Sequence, residues 1–131
     1  MVRREMKIGV PKESQPGEAR VASTPDIVKK LVGKGLSLTL ESGAGESAHY
    51  TDDEYVAAGA EIADRASAFD ADIVLKVRRP AADEVAAMRA GGIYMGFVET
   101  CGEDEIIGAM VSKGVRVLAV ERIPRISRAQ S

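Results

Sequence analysis

Three stretches of this sequence carry groups that could do chemistry. The first is Gly9-Val10-Pro11-Lys12-Glu13, followed by Gly17-Glu18-Ala19-Arg20-Val21-Ala22-Ser23-Thr24-Pro25. Arg20 falls just before a helix start and near the end of a first strand. A guanidinium there could grip a carboxylate or phosphate with two parallel hydrogen bonds. It could equally be held in a structural ion pair with Glu13 or Glu18. The second is Lys76 in the segment DIVLKVRRP. A lysine in an otherwise apolar strand is costly to bury unpaired, so it is expected at the strand's end, facing a cleft or a carboxylate. The other reading is a lysine that snorkels at the sheet rim. The third is Gly43-Ala44-Gly45-Glu46-Ser47-Ala48, which has the spacing G-x-G-x-x-G/A and follows a strand. In a dinucleotide fingerprint its N–H groups would face a pyrophosphate at a helix N-terminus. Here the next helix is expected to start at Thr51, and Glu46 would put a carboxylate beside the phosphates. Both points favour an ordinary loop.

The remaining reactive side chains offer less. His49, the single histidine, lies in a loop beside Tyr50 and reads as a surface residue. Cys101, the single cysteine, has no base placed next to it and excludes both an internal disulfide and a cysteine-built metal site. No metal centre is expected. Most carboxylates fall in first helical turns, where the helix dipole favours them.

Alternating short strands and helices must position these groups. Strands are expected over residues 7–11, 36–40, 60–62, 72–77, 93–98 and 115–120. Thr24 and Pro25 open a helix whose stripe is Ile27, Val28, Leu31 and Val32, and Gly33 and Gly35 close it. Thr51 with Asp52, Asp53 and Glu54 opens another, stopped by Gly59. Further helices are expected over 63–69, 82–89 and 103–113, the last turning Ile106, Ile107, Met110 and Val111 inward. Strands separated by helices imply right-handed crossovers. The fold class is therefore α/β, a mainly parallel sheet flanked by helices in a flavodoxin-like or Rossmann-like three-layer arrangement. Strand order is not legible.

The 131 residues suit one domain with a single core, 1–131. With 45% hydrophobic and 29% charged residues and a net charge of -2, the chain gives no reason to expect nucleic acid or direct membrane insertion. The start MVRREMKIGV lacks the apolar stretch of a secretory signal, so a cytoplasmic location is the expectation. After the last strand, residues 121–131 (ERIPRISRAQS) occupy the place where doubly wound folds keep ligand loops. The chain is therefore expected to be a piece of a longer protein.

Taken together, GVPKE, GEARVASTP, VKKLVGKG, ESGAGES, DDEYVAAGAEI and DIVLKVRRP keep the order and spacing of the N-terminal domain shared by alanine dehydrogenases and transhydrogenase α-type subunits. The chain resembles that family over nearly its whole length. In alanine dehydrogenases of the family, an arginine and a lysine matching Arg20 and Lys76 form the substrate pocket, and a catalytic histidine follows the strand expected over 93–98. Here Phe97-Val98-Glu99 stands in its place. The closing segment resembles the transhydrogenase loop over the nicotinamide. The resemblance implies that Arg125 and Gln130 place the dihydronicotinamide ring for hydride transfer, with Ser127 beside them in cofactor binding. It further implies NAD(H) as cofactor, with NADP(H) on a partner domain. The implied setting is a dimer, peripheral to the inner membrane, associated with a membrane proton channel. The Gly-rich dinucleotide segment of the family lies C-terminal to this region, so the isolated piece is expected to be inactive. Two alternatives stay open: an alanine dehydrogenase-like amino-acid dehydrogenase, and a non-enzymatic flavodoxin-like assembly domain.

Overall fold

The computed structural model describes residues 6–14, 17–96 and 105–119. Its strands are β1 (Lys7–Val10), β2 (Ser37–Glu41), β3 (Glu61–Ala63), β4 (Ile73–Leu75), β5 (Ile93–Gly96) and β6 (Arg116–Ala119). The helices are α1 (Pro25–Gly33), α2 (Asp52–Ala57), α3 (Arg65–Phe69), α4 (Ala82–Ala87) and α5 (Glu105–Lys113). The strands form one sheet in the order β3-β2-β1-β4-β5-β6, every pairing parallel. This is the doubly wound order, and its winding reverses between β1 and β4.

Each face of the sheet has its own apolar cluster. Ile8, Val10, Leu38 and Leu40 meet Val28 of α1 and Tyr55 of α2 on one face. Val74 and Tyr94 meet Phe69 of α3, Val85 of α4 and Met110 of α5 on the other. The three-layer expectation is therefore met. Alternation along the strands decides which face each residue joins. Gly9 stands on the second face, between Thr39 and Val74 in register. A Cβ there would lie 1.7 Å from the carbonyl oxygen of Ala68, so α3 crosses directly over β1 and only glycine fits beneath it.

Local signals act as anticipated. Thr24 caps α1, its hydroxyl accepting from the Ile27 N–H at 3.4 Å. Thr51 and Glu54 cap α2 reciprocally. Two inward assignments need correction. Ile27 is 44% exposed and Val111 63% exposed. Each sits one residue, about 100° of helical rotation, from the residue that seals its helix to the core, Val28 and Met110 respectively. The fourth strand is also shorter than the expected 72–77. Lys76 still donates its N–H to the Met95 carbonyl, but the next two N–H groups, of Val77 and Arg78, leave the ladder for the Glu13 carboxylate.

Candidate functional site

Ligands of doubly wound sheets sit at the carboxyl ends of the strands where the order reverses, and here that is the gap between β1 and β4. Lys76 immediately follows β4 at this edge. It is not at the rim: its side chain is 0% exposed, which rules out the snorkelling reading. Its Nζ donates to Glu13 Oε1 at 3.2 Å and stands 3.8 Å from Glu84 Oε2. Glu13 comes from the β1–α1 loop and Glu84 from the first turn of α4, and the side chains of both are buried. The Glu13 carboxylate also accepts from the N–H groups of Val77 at 2.7 Å and Arg78 at 3.0 Å. One carboxylate thus ties the β1–α1 loop to the β4–α4 loop.

The charges continue across the strand ends. Glu84 Oε2 accepts from Arg65, the first residue of α3, and Arg65 also reaches Glu41 at the end of β2. Glu41 in turn accepts from the Lys12 N–H at 2.8 Å. Every buried charge in this row has an opposite neighbour, as burial demands.

Above the row lies a cavity of about 410 Å³ lined, among the described residues, by Arg20, Val21, Ala22, Leu75, Lys76, Val77 and Met95. The fold therefore brings the two sequence candidates Arg20 and Lys76 to one cavity. Arg20 also makes the ion pair that the alternative reading required, and its partner is Glu18. Its Nε and Nη2 meet the two oxygens of Glu18 at 2.8 and 2.9 Å, and Arg78 approaches the same carboxylate at 3.6 Å. The Arg20 hydrogen bond, helped by the Arg20 N–H and by Arg78, holds the Glu18 carboxyl down to about 2 despite an opposing push from desolvation. A carboxyl group lowered by folding contributes stability above its unfolded value near 4.5, lost as pH falls through about 2. Because Arg20 is mostly solvent-exposed, the amplitude is small. The expected result is a Glu18 side-chain carboxyl that titrates near 2 by NMR and moves back towards 4.5 in Arg20→Ala. A titration unchanged by that substitution would remove Arg20 as the cause.

The Gly43–Gly45 loop is not a phosphate cradle. Asp52 already fills it: Oδ1 accepts from the Gly43 N–H at 2.9 Å and Oδ2 from the Ser42 hydroxyl at 2.8 Å. A short 3-10 turn, Glu46–Ala48, intervenes before α2. Gly45 is small because Tyr55 passes against it, where a Cβ would come within 2.7 Å of the phenol oxygen. That hydroxyl donates to the Ser23 carbonyl at 2.7 Å, fastening α2 to the start of α1. His49 is exposed, as expected. Among the described residues no three His, Cys, Asp or Glu side chains are grouped to hold a metal, and no helix is long and apolar enough to cross a membrane.

Arg125, Ser127, Gln130, Cys101 and the Phe97-Val98-Glu99 position lie outside the described residues. Sequence reasoning missed Glu13 and Glu84 as partners of Lys76. The available signal was the lysine itself, because a buried ammonium requires a carboxylate, and Glu13 stands in the loop just after the neighbouring strand.

The sequence matches the family described as "Alanine dehydrogenase/PNT, N-terminal domain" over residues 9–131. The chain belongs to the alanine dehydrogenase/PNT family. Its relatives include an NAD(P) transhydrogenase subunit alpha polypeptide of Rhodospirillum rubrum, 44% identical over 96% of this chain and 35% of that protein. The alanine dehydrogenase of Bacillus subtilis is 38% identical over 90% of this chain and 32% of that protein. Among solved structures, the transhydrogenase from Sinorhizobium meliloti superposes with a TM-score of 0.89 at 41% identity, covering 95% of this chain and 37% of that one. An L-alanine dehydrogenase superposes at 0.88 with 30% identity, over 95% of this chain and 35% of that one. The chain spans about a third of the length of these family members.

Proposed function

We propose that this chain forms the front portion of the NAD(H)-binding subunit of a proton-translocating NAD(P) transhydrogenase. Hydride would pass between NAD(H) on this subunit and NADP(H) on a partner domain. The observation that carries the reading is the closing segment Pro124-Arg125-Ile126-Ser127-Arg128-Ala129-Gln130-Ser131, in a chain 44% identical to a transhydrogenase subunit. The Phe97-Val98-Glu99 position supports it, since it offers no histidine for acid–base work at a substrate carbon.

The crevice suits the nicotinamide end of such a cofactor. It lies at the strand reversal, with apolar walls at Val21, Leu75, Val77 and Met95 and one buried ammonium, Lys76. The nicotinamide supplies the hydride chemistry; the protein contributes orientation and exclusion of water. Gln130 fixes the carboxamide, Arg125 anchors nearby negative groups, and Ser127 adds a hydroxyl to the same loop. The partners are an NADP(H)-binding component and a membrane proton channel. The subunit is a homodimer on the cytoplasmic side, peripheral to the inner membrane through the complex. The adenosine and pyrophosphate are held by a Gly-rich segment outside this chain, so the chain alone binds NADH very weakly or not at all.

The test is hydride transfer from NADH to an NADP analogue by the assembled complex. In Gln130→Asn the rate should fall by about tenfold or more, a transition-state loss of about 1.4 kcal/mol, with little change in NADH affinity. Equal losses in rate and affinity would reduce Gln130 to a binding residue. A second reading, an alanine dehydrogenase-like enzyme, is favoured by one observation: Arg20 and Lys76 line the same cavity. Turnover of alanine with NAD would select it.

A further inference from the structure

Arg20 and Glu18 stand two positions apart, yet the Arg20 side chain is 63% exposed and that of Glu18 only 4%. A guanidinium mostly in solvent is held little by packing, and its long stem loses rotamer freedom whenever it is ordered. Here Glu18 orders it. The carboxylate accepts from Arg20 Nε at 2.8 Å and from Nη2 at 2.9 Å, so one edge of the planar fork is fixed against it. It also accepts from the Arg20 backbone N–H at 2.8 Å. One residue thus pins both the backbone and the head group of the arginine.

The carboxylate is the anchored member of the pair. It is buried, and Arg78, from the loop after β4, approaches it across the crevice at 3.6 Å. Arg20 in turn lines the cavity at the strand reversal. Unlike the buried Lys76 ammonium, its guanidinium is open to solvent. An oxyanion entering the cavity therefore meets a reachable cation whose plane is already set. A group ordered in advance has less freedom to lose on binding, which strengthens the complex.

We infer that Glu18 is a positioning residue: it sets the plane of the Arg20 guanidinium at the cavity for an incoming oxyanion, the carboxylate of a small acid or a phosphate group. Glu18 acts through Arg20 and touches no ligand itself. The inference concerns how the cation is held and rests on neither enzyme reading, so a failure to transfer hydride leaves it standing.

Glu18→Asp tests orientation at constant charge. An aspartate two residues before an N–H still closes onto it, as in an Asx turn, but it is one methylene too short to keep the guanidinium fork as well. The natural full-length protein is titrated with oxamate and, separately, with inorganic phosphate, and binding is read at the Arg20 Nε–H resonance by NMR. The wild-type resonance is expected to shift with at least one of them, and the tighter anion tells carboxylate from phosphate. In Glu18→Asp the affinity for that anion should fall by about fivefold or more. The Nε–H resonance of the ligand-free variant should move towards that of a solvated arginine, with the melting midpoint nearly unchanged. Should this variant not fold, Glu18→Gln replaces it. Loss of the negative charge by itself favours an anion, so weaker binding there comes from lost orientation. Wild-type protein that binds neither anion, equal or tighter binding in the folded variant, or weaker binding with an unmoved Arg20 Nε–H resonance overturns the inference.

Discussion

Glu13→Ala is expected to cost the fold about 3–5 kcal/mol, the loss that follows when one partner of a buried ion pair is removed. The size comes from what the carboxylate holds. It accepts from the Lys76 ammonium and from the N–H groups of Val77 and Arg78. Without it Lys76 is left with Glu84 at 3.8 Å, and two backbone donors lose their acceptor. An orphaned buried donor costs about 1–3 kcal/mol, less where water can enter from the cavity. The double variant Glu13→Ala with Lys76→Met removes both charges and should recover some of the loss. Urea unfolding of the three proteins checks this. A single-variant loss below about 1 kcal/mol, in the range of an exposed pair, would show that the tie between the two loops is not structural.

Gly9→Ala should be comparably severe, about 3 kcal/mol or more, at the upper end of what overpacking costs. The added methyl would meet the Ala68 carbonyl oxygen at 1.7 Å and its carbon at 2.8 Å. These are backbone atoms, so no rotamer change relieves the contact, and α3 must lift from β1. Gly33→Ala is the matched control. It lies in α1 with nothing within 4 Å of the new methyl, and should be neutral or stabilising by about 0.5–1 kcal/mol. Thermal melts of the pair decide it: similar midpoints would mean that α3 does not press on β1 as described.

Much of this was readable in the residues. Short apolar runs and helical patterns located each described strand and α-helix to within a few residues, and Thr24, Thr51 and Gly59 marked helix ends because capping is a local affair. Strand order was not readable, since it depends on which apolar faces meet at long range. The strand ending after Leu75 was hidden for a related reason. It is set by Glu13, more than sixty positions away in sequence. At the site, Arg20 and Lys76 were visible as cations in costly places, and the fold brings both to one cavity. Glu84 was not, because a glutamate in a first helical turn has an ordinary local explanation. The Gly43–Gly45 spacing misleads in the opposite direction. Gly45 makes room for Tyr55, Gly43 takes a positive φ of 81°, and its open amide is satisfied by Asp52 from within the chain.

The reversal between β1 and β4 also divides the molecule by sequence. Strands β1 to β3 build one half of the sheet and β4 to β6 the other, and the first cluster draws its fully buried residues from positions 8–60 and the second from 69–115. The halves join through a ladder of two register pairs, Ile8 with Ile73 and Gly9 with Val74, together with hydrogen bonds between Lys7 and Asp72, the α3 crossing, the Glu84 contacts and the Glu13 tie. Each half can gather largely from contacts near in sequence, while the seam waits for partners some 65 residues apart and carries the entropic cost of closing that loop. The crevice is thus expected to close after the two halves have gathered, which places the candidate binding site on the line where they meet.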